Sequence, residues 1–236
     1  MHVKALRQAS LIEYPGRVAD VVFVGGCNFR CPFCYNVDLV LRPEDLDDLQ
    51  VPELLQELQQ RRGFIDGVVV TGGEPALQPD LCEFLSSLKR LDLAVKLDTN
   101  GSMPDVLRQC LQQHLVDYVA MDVKTGLSHY AQATGRPVDV ECIRQSIALL
   151  LASGVEYEFR TTVVTPLVGL GDIAEILEAV SGARRYRLQA FRPGPTVGWG
   201  DTPAMSAPPV ELMQSMADMA ARRIVDVRIR GQSSES

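Results

Sequence analysis

The sequence has no apolar run long enough to cross a lipid bilayer. Its longest runs lie near residues 21–24 and 147–152, whereas a membrane helix needs about 20 apolar residues. The first eight residues also lack the apolar core and the small-residue cleavage site of a secretory signal. We therefore expect a cytoplasmic protein with no membrane partner.

Positive charge and histidine are scarce as well. Lys and Arg total 23 against 30 Asp and Glu, the formal net charge is -7, and there are 3 histidines. A surface of this sign repels phosphate backbones, so we expect no nucleic-acid partner. The composition is that of an ordinary globular chain. We expect one domain over 1–236, with a core at about 17–192, a Gly/Pro-rich loop at 192–209 and a C-terminal helix and strand within 208–230.

Apolar runs rich in β-branched residues alternate with segments of helical periodicity. The runs predict buried strands at 19–24, 67–71, 93–97, 116–121, 157–164 and 186–190. The periodic segments predict helices at 51–61, 81–91, 103–114, 140–153, 173–180 and 208–223. Residues 36–49 and 192–209 are expected to be irregular, and 225–230 could add a seventh strand. Repeated strand-helix units imply a parallel sheet with right-handed crossovers, so we predict an α/β fold, a partial (β/α)6 barrel with outer helices.

Three cysteines lie in one loop after the first predicted strand. Cys27, Cys31 and Cys34 are separated by three and then two residues, which allows one loop to wrap one metal centre. Thiolates are soft ligands suited to iron-sulfur clusters or zinc. On a four-iron cluster, three cysteines leave one iron open to a further ligand.

A zinc site would need a fourth protein ligand, since structural zinc is tetrahedral. A distant cysteine or one of the histidines could supply it: His2, His114 or His129. The other cysteines fall on predicted helices at spacings that cannot form a second cluster loop: Cys82, Cys110 and Cys142.

Polar residues follow the later predicted strands or lie within them. They are Gly72, Gly73, Glu74, Asp98, Thr99, Asn100, Asp122, Lys124, Arg160, Gln189 and Arg192. The carboxyl ends of parallel strands meet on one rim, so we expect these residues to meet the cysteine loop there. The glycine pair and Glu74 also fit an ordinary βα corner, and Asp98, Asp122 and Lys124 fit caps or turn residues. Arg160 also fits an internal ion pair with an acid such as Glu156 or Glu158.

The cysteine spacing, with an aromatic residue before the last cysteine, resembles the radical S-adenosylmethionine (SAM) superfamily. Three further segments match at the proper distances: Thr71-Gly72-Gly73-Glu74-Pro75, Asp98-Thr99-Asn100-Gly101 and Met121-Asp122-Val123-Lys124. Together with Leu11-Ile12-Glu13-Tyr14-Pro15-Gly16, they make the chain resemble the glycyl-radical-enzyme activases. The resemblance is closest to the activating proteins of anaerobic ribonucleoside-triphosphate reductase and covers almost the whole chain.

This resemblance implies the cofactors and their ligands. A [4Fe-4S] cluster would be held by Cys27, Cys31 and Cys34, and SAM would bind beside it. Gly72, Gly73 and Glu74 would contact the methionine amino group, Lys124 its carboxylate and Asp98 the ribose region. Phe33, next to the last cysteine, fits either the adenine site or the core. Asn100, Arg160, Gln189 and Arg192 would complete the SAM site, and Asp98, Thr99 and Asp122 a monovalent cation site.

The implied activity is that of an oxidoreductase. Reductive cleavage of SAM would give a 5'-deoxyadenosyl radical that abstracts hydrogen from a glycine of a partner enzyme, with a flavodoxin- or ferredoxin-type electron donor. A radical SAM enzyme acting on a small molecule, such as a deazapurine precursor, and a zinc-binding interaction module are the alternatives. Tyr35 stands where activases commonly have histidine, and Trp199 could either dock the partner or anchor its own loop.

Overall fold

A single eight-stranded sheet organises the chain, whose computed structural model describes residues 1–198 and 205–231. The strands lie side by side in chain order: β1 (Val3–Ser10), β2 (Ala19–Val24), β3 (Gly67–Gly72), β4 (Ala94–Thr99), β5 (Tyr118–Asp122), β6 (Glu156–Val163), β7 (Arg185–Ala190) and β8 (Asp226–Arg230). β1 is antiparallel to β2, and every later pair is parallel. The prediction of an α/β fold with an open, partial barrel is confirmed.

Helices make the crossovers between the parallel strands. They are α1 (Val37–Leu41), α2 (Val51–Gln60), α3 (Leu81–Arg90), α4 (Pro104–Gln112), α5 (Tyr130–Thr134), α6 (Val140–Ala152), α7 (Leu170–Ala179) and α8 (Val210–Ala221). The six predicted helices all form, and their ends lie within about three residues of the predicted ends. Short 3-10 turns cover Pro43–Asp45, Pro75–Leu77 and Leu127–His129. None of the helices in the described ranges combines the length and apolarity that a membrane crossing requires.

Three elements differ from the sequence prediction. β1 was not predicted, because an edge strand has a single neighbour and needs no continuous apolar run; only its two end residues, Val3 and Ser10, are buried. α1 lies in the segment 36–49 that was expected to be irregular, and α5 was not predicted. Both have five residues, too few to form alone, so tertiary contacts must stabilise them.

The two faces of the sheet pack against different parts of the molecule. Side chains alternate along each strand, so Val22 and Val70 pack under the helices while Val21 and Val69 face the barrel interior. Each buried valine contributes about 1.5–3 kcal/mol of transfer free energy. Tyr118 joins the interior group. An apolar plug therefore fills one part of the interior and leaves the carboxyl ends of the strands open.

A group of charged side chains, here called the edge network, joins β6, β7 and β8, with Glu158 and Arg187 buried. Its members are Glu158, Arg187, Asp226 and Arg230. Arg187 donates two hydrogen bonds to the Asp226 carboxylate, at 3.1 and 2.7 Å, and its Nε lies 3.2 Å from Glu158 Oε2. Arg230 donates two to Glu158, at 3.2 and 3.1 Å, and Tyr118 donates a third. Among these four side chains two positive charges face two negative charges, and the more exposed Arg185 and Arg228 also pair with Asp226, at 3.8 and 3.1 Å.

Candidate functional site

A cavity of about 420 Å³ opens at the carboxyl ends of the parallel strands. It is lined by residues from the cysteine loop and from the ends of β2 to β7. The sequence-predicted residues among them are Cys27, Cys31, Phe33, Cys34, Gly72, Gly73, Glu74, Asp98, Thr99, Asn100, Asp122, Lys124, Arg160 and Gln189. The fold therefore brings together residues that are far apart in the sequence.

Backbone hydrogen bonds fix the cysteine loop at its start and in its middle. Gly26 N donates to Leu39 O at 2.8 Å, and Arg30 N donates to Thr134 O at 2.8 Å. Within the loop, Cys34 N donates to Cys31 O at 3.0 Å. These bonds lie between backbone groups, so the loop is tied to α1 and α5 without depending on particular side chains.

Gly73 allows this loop to rest on the end of β3. A Cβ atom on Gly73 would lie 1.9 Å from the Gly26 carbonyl oxygen, a separation that real Cβ atoms do not reach. Gly72, at φ +123°, would place a Cβ 2.4 Å from the backbone of Val24. The glycine pair is therefore required by close packing of two backbones.

The Glu74 carboxylate ties the end of β3 to the end of β4. It is buried and accepts hydrogen bonds from Thr99 Oγ1 at 2.7 Å, Asn100 N at 2.7 Å and Ala76 N at 3.0 Å. Burial raises the pKa of Glu74 to about 7, against the opposing effect of these donors. With three donors already bound, Glu74 positions the neighbouring loop.

Five charged side chains form a second group, here called the cavity network: Lys96, Asp98, Asp122, Lys124 and Arg160. Arg160 bridges the two carboxylates, with Nε 2.8 Å from Asp122 Oδ1 and Nη1 3.1 Å from Asp98 Oδ2. Lys124 Nζ lies 3.1 Å from Asp122 Oδ2, and the buried Lys96 pairs with Asp98. Three positive charges therefore face two negative ones.

Ion pairing decides the charge states of this network. Burial alone would raise the pKa of Asp98 and of Asp122, but the Arg160 charge, with Lys96 and Lys124, reverses that effect and leaves both pKa values lowered. Burial alone would lower the pKa of Lys124, and the Asp122 carboxylate leaves it raised instead. Asp98, Asp122, Lys124 and Arg160 are thus charged at neutral pH.

The partners of Arg160 differ from those considered in the sequence analysis. Its internal ion pairs are with Asp98 and Asp122, while the side chain of Glu158 belongs to the edge network and Glu156 pairs with Arg184 and Arg185. The reason is the strand register, which places Arg160 beside Asp122 on β5.

The three cysteines share the cavity wall but do not form a single-ion site. Burial raises the pKa of Cys27 to about 11 and that of Cys31 to about 12, so a metal centre would have to displace their protons. Within the described ranges, no three Cys, His, Asp or Glu side chains are close enough together to hold one metal ion. In the same ranges, neither a histidine nor a fourth cysteine lines the cavity. This geometry disfavours the zinc interpretation.

Several cavity residues were missed by sequence reasoning. Arg7, Glu13 and Phe23 line it from the β1–β2 hairpin, which was not predicted. Lys96 was also missed, although its signal was present: a lysine inside an apolar strand needs a carboxylate, and Asp98 lies two residues on, on the same face.

Tyr35, in the position where histidine is common, also lines the cavity. Its hydroxyl donates to Arg192 O at 2.5 Å and accepts from Arg192 N at 2.9 Å, and its ring stacks on Phe191 at 5.8 Å. Tyr35 therefore joins the cysteine loop to the end of β7.

Two predicted residues are not placed at the cavity. Arg192 is exposed and is not among the described residues that line it, because it lies two residues beyond β7 and its Nε donates to Gly231 O at 3.1 Å. Trp199 falls outside the described residues.

Known proteins resemble this chain in sequence and in fold. The profile of the radical SAM superfamily matches residues 21–180. A Methanocaldococcus jannaschii protein named "Putative glycyl-radical enzyme activating enzyme MJ1227" is 33% identical over 196 residues, which cover 81% of this chain and 80% of the relative. The pyruvate formate-lyase-activating enzyme of Staphylococcus aureus is 28% identical over 148 residues, 58% of each chain. The chain is thus homologous to glycyl-radical-enzyme activating enzymes.

A solved structure has the same fold. SuiB of Streptococcus suis, crystallised with SAM, matches with a TM-score of 0.66 at 14% identity, over 88% of this chain and 48% of SuiB. This chain therefore spans about half the length of SuiB. The profile match covers more than half of the chain, and the M. jannaschii relative is similar over most of its length. The chain belongs to the radical SAM superfamily.

Proposed function

We propose that this protein is a radical SAM oxidoreductase that activates a glycyl radical enzyme, with anaerobic ribonucleoside-triphosphate reductase as its partner. The observation that carries the proposal is the cavity, where three cysteines and a charged network of net positive sign share one wall. The names of the two relatives support the activase role. The resemblance of almost the whole chain to the activating proteins of that reductase supports the reductase as partner.

Superfamily membership implies a [4Fe-4S] cluster and SAM, and the residues present fit both. Three soft thiol ligands lie on one loop, and each would bind a different iron, so their sulfurs need not be as close as the ligands of one ion. Lys124 stands near Cys31 and Cys34, and its charge opposes the burial that raises the pKa of Cys31. We propose Cys27, Cys31 and Cys34 as the cluster ligands.

When bound, a reduced [4Fe-4S] cluster would supply the one electron needed for reductive cleavage of SAM to methionine and a 5'-deoxyadenosyl radical. The protein supplies no acid or base for this cleavage. Its residues hold the reactants in one orientation and exclude water from them.

The cavity network gives SAM an anchor. Its one excess positive charge suits the methionine carboxylate, and Lys124, which lines the cavity, is placed to bind it. Asp98 accepts hydrogen bonds from the ribose in this proposal, and Phe33 packs against the adenine. Glu74 acts by positioning Thr99 and Asn100. The monovalent cation stays a prediction, because Lys96, Lys124 and Arg160 already neutralise Asp98 and Asp122.

The partner glycine would enter the cavity from the solvent side. Arg7 and Glu13, from the β1–β2 hairpin, line the cavity. Leu11 and Ile12 at the tip of that hairpin are exposed. A flavodoxin- or ferredoxin-type protein is proposed as the electron donor.

Anaerobic reconstitution with iron and sulfide tests the proposal. The loaded protein should cleave SAM to 5'-deoxyadenosine under reduction, and replacing Cys27, Cys31 and Cys34 together by Ala should abolish it. Cys142→Ala, a cysteine outside the cavity lining, should retain it. Mixing with an anaerobic ribonucleoside-triphosphate reductase should give a glycyl radical signal in electron paramagnetic resonance. Cleavage that survives the triple substitution would overturn the cluster assignment, whereas cleavage without a radical on the reductase would overturn only the partner.

A further inference from the structure

Two cysteines outside the cavity lie in contact with each other. Cys82, in the first turn of α3, and Cys110, in α4, have their Sγ atoms 3.8 Å apart. A disulfide requires a separation of about 2.05 Å, so the sulfurs would move about 1.8 Å closer, within the reach of side-chain rotation. Neither residue lines the cavity.

The two thiols differ in accessibility. Cys82 is partly exposed, whereas Cys110 is fully buried. Burial raises the pKa of Cys110 well above the ordinary value, and the neighbouring Cys82 adds to the shift. A dissolved oxidant can therefore reach the Cys82 thiol, whereas the Cys110 thiol is shielded from solvent and can react only with Cys82.

We propose that Cys82 and Cys110 form a peroxide-responsive disulfide that is separate from the cluster cysteines. Hydrogen peroxide oxidises the Cys82 thiol to a sulfenic acid and releases one water. The Cys110 thiol then attacks that sulfur, the S–S bond forms, and a second water leaves with the hydroxyl oxygen. Two electrons pass from the two sulfurs to one peroxide, which is reduced to two waters.

The bond would tie α3 to α4 across β4. The cross-linked segment contains Asp98, Thr99 and Asn100, which line the cavity. Closing this segment restricts the unfolded chain, so the disulfide should raise the thermal unfolding midpoint by about 5 °C. A thiol reductant should reverse the shift.

Peptide mapping of the complete, cluster-loaded protein tests this proposal. After exposure to hydrogen peroxide, the remaining thiols are alkylated and the protein is digested with trypsin. Trypsin separates Cys82 in peptide 63–89 from Cys110 in peptide 109–124, and neither of these two peptides contains any of the other four cysteines. We expect one cross-linked pair, 63–89 with 109–124, about 2 Da lighter than the sum of the two free peptides. It should disappear after reduction.

Variants provide the controls. Cys82→Ala and Cys110→Ala should lose both the cross-link and the gain in thermal midpoint, whereas Cys142→Ala should keep both. Separate alkylation of Cys82 and Cys110 after peroxide would overturn the proposal. Two other results would also overturn the proposal. One is over-oxidation of Cys82 while Cys110 stays a free thiol, and the other is a cross-link from either residue to a cluster cysteine. Peptide mapping of the unsubstituted chain shows whether the disulfide forms even where a variant fails to fold. The result does not depend on whether the protein cleaves SAM.

Discussion

The cavity network and the edge network meet on strand β6, where Arg160 belongs to one and Glu158 to the other. Both groups pair arginine with carboxylates, and both contain buried members. The edge network pairs its charges among β6, β7 and β8, and none of its four members lines the cavity. The cavity network carries one more positive than negative charge and faces open space. We infer that the edge network stabilises the fold while the cavity network is arranged to receive an anionic group.

Arg187→Met is the strongest test of the structural role of the edge network. It leaves the buried Glu158 with fewer partners and Asp226 without its bidentate donor, so the free energy of unfolding should fall by about 3 kcal/mol. SAM cleavage per folded molecule should stay unchanged. Denaturant unfolding and a cleavage assay measure the two quantities. Arg228→Met is the control, since its side chain is 71% exposed and its ion pair contributes little.

Lys124→Met tests the opposite prediction for the cavity network. Removing this charge should lower kcat/KM for SAM by roughly 100-fold, the loss of about 2.7 kcal/mol expected for a charge-assisted contact. Stability should change little, because Asp122 keeps its pair with Arg160. Lys89→Met, which removes a lysine paired with Asp117 outside the cavity, should leave kcat/KM unchanged. If Lys124→Met, like Arg187→Met, lost only stability and kept its kcat/KM for SAM, the proposed contrast between the two networks would be wrong.

The pH dependence of stability distinguishes the paired aspartates. The pKa values of Asp98 and Asp122 are lowered, so their stabilising effect is complete above the ordinary aspartate pKa of about 3.9 and is lost as pH falls through the lowered values. Arg160→Met raises both pKa values. We expect this variant to be about 2 kcal/mol less stable at pH 7 and to approach the parent protein below about pH 4. Unfolding of the metal-free chain from pH 2 to 7, a range that extends below the ordinary aspartate pKa, measures this difference, and a constant difference would contradict it.

Tyr35→Phe should have the smallest effect. It removes two hydrogen bonds to the Arg192 backbone but keeps the ring stacked on Phe191 and changes no charge. We expect the rate of SAM cleavage to fall about two- to fivefold, consistent with about 0.5–1 kcal/mol. Tyr35→Ala, which also removes the stack, should cost more. An equal effect of the two variants would mean that the hydroxyl alone positions the cysteine loop.

The sequence predicted the parallel part of the fold closely because buried strands leave a clear signal. The predicted run at 19–24 coincides with β2, and the remaining predicted strands end within about two residues of the observed ones. β1 escaped because an edge strand with one exposed face lacks the apolar run that was sought. α1 escaped because five residues have too little periodicity to detect.

The candidate site was predictable to the extent that it follows from strand ends. Knowing that parallel strands share a rim was sufficient to place Asp98, Asp122 and Lys124 together with the cysteine loop. The identity of the Arg160 partners was not predictable, since it depends on strand register. The turn of Arg192 toward Gly231 was likewise set by the neighbouring β8. The roles of these residues stay predictions until they are measured.

The contact between Gly73 and Gly26 sets a limit on how this protein can be redesigned. Because the main chains of Gly73 and Gly26 are in contact, the position of the cysteine loop, and so of its thiols, is set by the end of strand β3. Helix surfaces could be rewritten extensively without disturbing that placement, yet one added methyl group at position 73 would lift the loop from its support. The tolerance of the chain to substitution is therefore least where its side chains are smallest.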